Sequence, residues 1–318
     1  MVARTTLFAV GISLGSFSGC FVMWNRTKLG KLLDKLEKEP FLANSERGGL
    51  EEDKLIRRWF IFNYIQSTVF CAIVVITLSI GIGNVLFKRI KYNDRQLPYG
   101  PLTILNVTQS HNYEILLLYQ SGVIIYCCLI VASTVLIFTG LLSFVTVQFK
   151  LLQNYLKSIL YCSYKAMSKK SLKNAVLYHL NIIALTKEIE EIFNPLLTMQ
   201  FACLLTLCFE VYQASVAPPS GVQQILLEII TILNMPLLFC YWGEQVTHES
   251  EQVRRAAYDA DFIGTDLRFQ KGLIIIMHNS QDGIQIKAAK VIPTSLLTFA
   301  SVRCLPVYFN ILLFLVYC

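Results

Sequence analysis

Ile115 to Phe149 reads ILLLYQSGVIIYCCLIVASTVLIFTGLLSFVTVQF, a run without a single Asp, Glu, Lys or Arg. About 20 mostly apolar residues are enough for a helix to cross the hydrocarbon core of a bilayer. This run is longer than that, and it lacks the period-2 alternation of a barrel strand. Because backbone groups in lipid must be hydrogen-bonded within the protein, the run predicts a transmembrane α-helix and excludes a membrane β-barrel.

The rest of the chain is also rich in apolar residues. The protein has 318 residues, of which 54% are apolar and only 15% charged, and its mean hydropathy is +0.53. A soluble domain of this length needs more charge to cover its surface. The sequence predicts an all-α, polytopic membrane helical bundle of about six transmembrane helices. The five other predicted spans are Thr5–Trp24, Trp59–Phe87, Phe193–Ala217, Val222–Trp242 and Ile292–Val316.

The basic residues predict how these spans are oriented. Arg26–Arg58, Lys150–Lys187 and Arg254–Lys290 together hold 22 Lys and Arg, whereas the alternate loops hold four. Loops rich in Lys and Arg stay in the cytoplasm, so we expect these three segments inside and both termini outside. Their apolar residues recur at helical spacing, which predicts long cytoplasmic helix extensions. Asn106 begins an Asn-Val-Thr sequon in an outer loop and is a candidate glycosylation site.

No pattern of catalytic or metal-binding residues accompanies the spans. The four histidines lie on separate segments without metal-ligand spacing, and there is no P-loop, GxSxG or dinucleotide fingerprint. We therefore predict no enzyme activity, no catalytic residue, no metal, no cofactor and no nucleic-acid partner. Gly81-Ile-Gly83 favours close helix packing inside a span. Arg303 lies deep in the last span, where it favours either a pore or gating role or a structural salt bridge.

Several stretches resemble insect odorant receptors. Residues 179–201, HLNIIALTKEIEEIFNPLLTMQF, are similar to the segment entering that family's fifth helix, and residues 240–258, CYWGEQVTHESEQVRRAAY, to its Cys-Tyr-x-Gly run after the sixth. Ile115–Gln120 resembles the start of the fourth helix. Ile292–Phe299 and Tyr308-Phe309 resemble the two ends of the last-helix signature. The order and spacing of these motifs cover nearly the whole chain.

The resemblance implies a seven-helix subunit with a cytoplasmic N-terminus, of which the first helix is absent here. It also implies assembly with an odorant co-receptor into a hetero-tetrameric, ligand-gated, non-selective cation channel in the plasma membrane of sensory neurons. In that frame residues 1–149 form the ligand-binding half. Residues 150–318 hold the cytoplasmic anchor helices and the pore-lining last helix.

The resemblance further implies where ligand and ions are handled. Small volatile molecules would bind in the outer half of the membrane. The residues at the matching positions are Phe8, Ile12, Thr77, Ser79, Tyr119, Gly122, Tyr126 and Cys127. Last helices of four subunits would surround the pore. The predicted lining residues are Val302, Arg303, Pro306, Phe309, Asn310 and Leu313.

Three alternatives remain at the level of sequence. An insect gustatory receptor would end with a Gln-Phe pair, which this C-terminus lacks. A secondary transporter would favour paired broken helices and internal symmetry. A G-protein-coupled receptor would have the opposite orientation and an Asp-Arg-Tyr type motif after its third helix, which is missing here.

Overall fold

The structure is a computed structural model that describes residues 2–42, 49–92, 97, 110–161, 168–203, 207, 211, 219–259 and 266–301. Within these ranges six long or medium helices are followed by a two-stranded hairpin. The elements are α1 (Val2–Leu36), α2 (Gly49–Tyr92), α3 (Ser110–Tyr161), α4 (Ser168–Cys203), α5 (Pro219–Tyr258), α6 (Leu267–Asn279), β1 (Lys287–Ala288) and β2 (Ile292–Pro293). Residues 296–301 are again helical.

The all-α membrane bundle predicted from the sequence is confirmed. In the described ranges four helical segments are long and apolar enough to cross a bilayer, namely Phe8–Leu36, Glu51–Tyr92, His111–Ile159 and Ile225–Tyr258. They correspond to the first, second, third and fifth predicted spans. The fourth span is helical at residues 193–203, 207 and 211, whereas its other residues and most of the sixth span lie outside the described residues. The helices continue past the spans as predicted, with α1 reaching Leu36 and α3 reaching Tyr161.

One predicted boundary is wrong. The last span was expected to begin at Ile292, yet Ile292 and Pro293 form strand β2, which pairs antiparallel with Lys287 and Ala288. The helix begins only at Leu296. The cause is local, because Pro293 lacks the N–H of a helix interior and biases the preceding residue towards extended backbone. Apolar composition alone did not distinguish this short strand from the first turn of a helix.

Helix α3 is the centre of the bundle, because it contacts α1, α2, α4 and α5. A row of buried aromatic rings joins four of these helices. The Phe138 ring on α3 lies 4.9 Å from Phe193 on α4 and 5.2 Å from Phe239 on α5, centroid to centroid. Phe193 in turn lies 5.5 Å from Phe21 on α1. Tilted and edge-on pairs of this kind add to the contact area that aromatic rings bury.

Beyond the predicted inner ends of the spans, polar contacts hold the helix extensions together. Lys35 Nζ on α1 donates to Glu188 Oε2 on α4 at 2.8 Å. The Tyr178 hydroxyl donates to Gln148 Oε1, which links α4 to α3. His179 is buried beside them, and its Nε2 lies 3.2 Å from Ser280 Oγ at the end of α6. The predicted cytoplasmic layer is therefore a packed extension of the bundle.

Truncating the centre of the aromatic row should destabilise the whole bundle. We expect Phe138→Ala to cost about 3–5 kcal/mol, as large-to-small changes in packed interiors do, because it leaves a cavity shared by three helices. Leu129→Ala on the same helix is the control, since Leu129 is 62% exposed. Thermal unfolding of the detergent-purified protein measures both. Equal melting temperatures for the two variants would contradict the central role of Phe138.

His179 should make stability depend on pH. Burial lowers the pKa of His179 from 6.5 to about 4, so the folded protein resists protonation that the unfolded chain accepts. Stability contributed by the neutral ring is therefore complete above pH 6.5 and is lost as the pH falls from about 6.5 towards about 4. His179→Gln should flatten that slope in thermal melts, whereas His248→Gln, at an exposed histidine, should retain it. Parallel slopes for all three proteins would refute the assignment.

Candidate functional site

Helices α1 and α3 approach each other along a row of glycines. A Cβ atom built on Gly15 would lie 2.6 Å from both Cβ and Sγ of Cys127, and those on Gly11 and Gly19 would lie 3.6 Å from Ile124 and Ile130. The glycines are spaced by four residues and therefore share one face of α1. The paired positions increase together, so α1 and α3 run in the same direction. Small residues at this spacing let membrane helices pack backbone to backbone.

This glycine row was not recognised from the sequence, although its Gly-x-x-x-Gly spacing was a usable signal. The sequence instead predicts close helix packing at Gly81-Ile-Gly83. A Cβ on Gly83 would meet no atom of the described residues within 4 Å, so that expectation is wrong for Gly83.

The predicted ligand-binding residues fall into two groups. Phe8 and Cys127 are buried, while Ile12 and Thr77 are partly buried. Thr77 Oγ1 lies 2.8 Å from Thr231 Oγ1 on α5. The other group is exposed on helix surfaces and consists of Ser79, Tyr119, Gly122 and Tyr126. Tyr119, Gly122 and Tyr126 share one face of α3, and the structure separates that face from the buried face carrying Cys127.

Three buried polar groups that sequence reasoning missed lie inside the bundle. Among the described residues, Ser18 Oγ, Ser121 Oγ and both amide atoms of Gln200 have no hydrogen-bond partner. They lie on α1, α3 and α4, and Gln200 is more than nine-tenths buried. A buried donor or acceptor without a partner costs about 1–3 kcal/mol. Polar residues within apolar runs were the available signal, since such residues in membrane spans usually have a structural or functional partner.

Two of these groups occupy neighbouring layers of the bundle. Phe21 contacts Phe193, and Lys35 contacts Glu188, so α1 and α4 are antiparallel. Counted from the Phe21–Phe193 contact, Ser18 lies about 4.5 Å and Gln200 about 10 Å towards the predicted outer side, at about 1.5 Å per residue. Both polar groups therefore lie on the predicted outer side of the aromatic row, on helices that are mostly apolar there. This is the composition of a site for a small, mostly apolar molecule.

A cleft of about 290 Å³ separates α2 from α5 nearer the predicted cytoplasmic side. One of its polar groups is engaged, because Gln66 Oε1 accepts a 2.8 Å hydrogen bond from Trp242 Nε1. The remaining walls are mostly apolar. The cleft is lined by Phe62, Ile65, Gln66, Val69, Phe70, Asn234, Leu238 and Tyr241.

The predicted pore-lining residues and the candidate glycosylation site Asn106 lie outside the described residues. Groups of three or more His, Cys, Asp or Glu that could hold a metal ion are absent from the part of the chain that the structure describes.

The sequence match decides the family. A family model described as 7tm Odorant receptor matches residues 2–304. The chain belongs to the odorant receptor family. This confirms the resemblance drawn from residues 179–201 and 240–258, and it favours an odorant receptor over the gustatory receptor and the transporter. The protein is a multi-pass membrane protein of a receptor family and not of an enzyme family.

Individual relatives of this odorant receptor chain agree. It is 34% identical to Odorant receptor 67a of Drosophila melanogaster over 133 residues, which is 41% of this chain and 33% of that protein. It is 22% identical to Odorant receptor 85c of the same fly over 293 residues, 90% of this chain and 75% of that protein. The chain thus matches about a third of one relative's length and three quarters of the other's.

Solved structures show the same fold. The insect olfactory receptor OR5 from Machilis hrabei superposes with a TM-score of 0.86 at 16% identity, covering 98% of this chain and 82% of that one. The structure of that receptor in complex with eugenol gives 0.84 at 17% identity, covering 99% and 82%. The arrangement of α1 to α6 is therefore that of an insect olfactory receptor.

The Gly15–Cys127 contact can be tested by exchanging bulk across it. Gly15→Ala should cost about 1–3 kcal/mol, because the new methyl group overlaps Cys127 and forces α1 away from α3. The double variant Gly15→Ala/Cys127→Gly should recover much of that loss. Gly30→Ala is the matched control on α1, since its Cβ would meet no described atom within 4 Å. Thermal melts in detergent give the melting temperatures of the unaltered chain and the three variants. Equal melting temperatures for Gly15→Ala and Gly30→Ala would contradict the close approach of Gly15 and Cys127.

Proposed function

We propose that this chain is the ligand-binding subunit of an odorant-gated, non-selective cation channel. The single observation that carries the proposal is the set of unpartnered polar groups, Ser18, Ser121 and Gln200, inside an apolar bundle with the olfactory receptor fold. An amphiphilic small molecule supplies what that region lacks, namely apolar contact area and one hydrogen-bonding group. Eugenol, bound by the related Machilis receptor, is a molecule of this kind.

In this proposal the ligand lies where α4 meets the packed pair of α1 and α3, outward of the Phe21–Phe193 contact. Phe8, Ile12 and Cys127 provide apolar contacts, while Ser18 and Gln200 orient the ligand's polar group. Thr77, Ser79, Tyr119, Gly122 and Tyr126 remain predicted contacts of the same ligand. The four exposed members of that set would reach it only from the outer faces of their helices, so they are the weaker candidates.

Binding opens the channel only by favouring the open state over the closed one. Four last helices surround the pore, lined by Val302, Arg303, Pro306, Phe309, Asn310 and Leu313. Apolar members of such a ring can gate conduction by excluding water. The partner subunits are the odorant co-receptor, and the assembly lies in the plasma membrane of sensory neurons. The family membership and the multi-pass fold support this arrangement.

Co-expression with a co-receptor subunit, followed by recording of odorant-evoked cation current, tests the proposal. The panel pairs each alcohol or phenol, eugenol included, with the hydrocarbon of the same skeleton. Gln200→Leu removes the amide at nearly constant volume. It should raise the half-maximal concentration of hydroxylated ligands about tenfold, the equivalent of one hydrogen bond of about 1.4 kcal/mol, and leave the paired hydrocarbons unchanged.

Two further variants separate the two groups of candidate residues. Cys127→Val should change potency for both members of each ligand pair, because added bulk against Gly15 changes the spacing of α1 and α3 rather than hydrogen bonding to the ligand. Tyr126→Phe removes a hydroxyl on the exposed face of α3 and should leave potency unchanged. No evoked current from the unaltered chain over the whole panel, despite surface expression with the co-receptor, would reject the channel function. A hydroxyl-selective loss in Tyr126→Phe instead of Gln200→Leu would move the site to the outer face of α3.

A further inference from the structure

The segment that joins α6 to the last helix is held on both sides by side chains. We call residues 283–296 the hairpin linker. Within it β1 and β2 pair with Lys287 opposite Pro293 and Ala288 opposite Ile292. The turn between them uses left-handed backbone at Ala289 (φ 52°) and Lys290 (φ 60°). Non-glycine residues adopt this conformation at a cost, so surrounding contacts must hold it in place.

Helix α4 supplies three of those contacts from one face. Glu190 Oε1 accepts from the Lys287 backbone N–H at 3.1 Å, and Asn194 Nδ2 donates to the Lys287 carbonyl at 2.8 Å. Thr198 Oγ1 accepts from the Ala289 backbone N–H at 2.9 Å. Glu190, Asn194 and Thr198 are spaced by four residues and so lie one above another along α4. The backbone N–H and C=O groups of Lys287 and the backbone N–H of Ala289 in the turn are thereby hydrogen-bonded to this helix.

Helix α5 holds the two ends of the linker. At its beginning, Ile284 N–H donates to Ser250 Oγ at 2.9 Å, and its carbonyl accepts from Thr247 Oγ1 at 3.0 Å. At its end, Glu244 Oε2 accepts from the Leu296 backbone N–H at 2.7 Å. Gly243 makes room for the linker, because a Cβ there would lie 2.8 Å from Cβ of Thr294. The Cys-Tyr-x-Gly-Glu stretch of α5 is thus the surface on which the linker rests.

The Glu244 contact fixes where the last helix starts. The first N–H groups of a helix have no partner within it, and its N-terminus attracts negative charge. Glu244 satisfies the Leu296 N–H with a charge-assisted hydrogen bond, and Ser295 Oγ accepts from the Thr298 N–H at 3.1 Å. A carboxylate of α5 and a hydroxyl of the linker together cap this helix. Displacement of α5 therefore acts directly on the first turn of the last helix.

Helix α4 also carries the orphan amide of the bundle interior. Gln200 lies two residues beyond Thr198 on the same helix, about 3 Å along its axis at 1.5 Å per residue. Gln200, the proposed ligand contact, and Thr198, which holds the hairpin turn, thus lie on the same helix. If ligand binding moves α4, the hydrogen bonds of Thr198, Asn194 and Glu190 would move the hairpin linker with it.

We propose that Glu190, Asn194 and Thr198 on α4 and Glu244 on α5 are positioning residues that couple ligand binding to the last helix through the hairpin linker, an inference that rests on the proposed channel function. Loss of these contacts leaves the ligand region intact but lets the last helix move independently of α4 and α5. The observable consequence is a change in efficacy. The ratio of evoked to spontaneous current falls, whereas surface expression does not.

The experiment records both currents for matched variants of the full chain co-expressed with the co-receptor. Glu190→Ala and Glu244→Ala remove an acceptor of the linker, whereas Glu190→Gln and Glu244→Gln keep an amide oxygen at the same position. Thr198→Val and Thr198→Ser form the same kind of pair. Glu191→Ala is the control, because Glu191 neighbours Glu190 but is exposed. Surface labelling normalises every current to the number of channels.

We expect each acceptor-removing variant to lower the evoked-to-spontaneous ratio about tenfold, the equivalent of about 1.4 kcal/mol of coupling. The Gln and Ser variants should recover most of the ratio, and Glu191→Ala should match the unaltered chain. A merely structural role predicts that surface expression falls and that both currents fall in proportion. That result, or an unchanged ratio in Glu190→Ala and Glu244→Ala, overturns the coupling role while the channel function stands.

Failure of the channel function has a different signature. The unaltered chain would then carry no evoked current, and the coupling role would fail with it. Hydrogen exchange of the purified protein still tests the contacts themselves, through the amides of Ile284, Lys287, Ala289 and Leu296. We expect slow exchange of these amides in the unaltered chain. Faster exchange at Lys287 in Glu190→Ala and at Leu296 in Glu244→Ala would support the hydrogen bonds that α4 and α5 make to the hairpin linker. Exchange unaffected by either substitution removes its basis.

Discussion

A peptide group that leaves water must find a hydrogen-bond partner within the protein, and this constraint governs the whole bundle. It explains why the chain crosses the hydrocarbon only as long helices, whose N–H and C=O groups are paired internally. It also explains the chemistry of the hairpin linker. Where the backbone leaves helical geometry at the edge of the bundle, carboxylate, amide and hydroxyl groups of α4 and α5 supply the missing partners.

The interior meets the same constraint less completely. Aromatic rings of α1, α3, α4 and α5 fill the centre of the bundle, and beside them the hydroxyl of Ser18 and the amide of Gln200 have no partner among the described residues. Replacement by apolar residues would remove that cost. In the proposed ligand site, these groups would discriminate among ligands by their polar atoms.

Prediction from the sequence succeeded where a property of one continuous segment determines its secondary structure. Span length and the absence of charge located α3, and helical periodicity located the extensions of α1, α3 and α4. It failed where structure depends on contacts between distant segments. Pro293 breaks the helix locally, but the position of the hairpin depends on its contacts with α4 and α5, and the row at Gly15 becomes a helix contact only when α3 lies beside it. Likewise, Tyr126 and Cys127 are neighbours in sequence, yet only the packing of α3 decides which of them is buried.

Two helix contacts in the bundle differ in how tightly they are packed, namely α1 with α3 at the glycine row and α2 with α5 at the cleft. Sliding α1 along α3 would drive Cys127 against the backbone of α1 on either side of Gly15, so these helices shear only if they first separate. Between α2 and α5, by contrast, there is a cleft of about 290 Å³ lined mostly by side chains rather than closed by backbone contact. A relative shift of helices is therefore accommodated more easily between α2 and α5 than between α1 and α3.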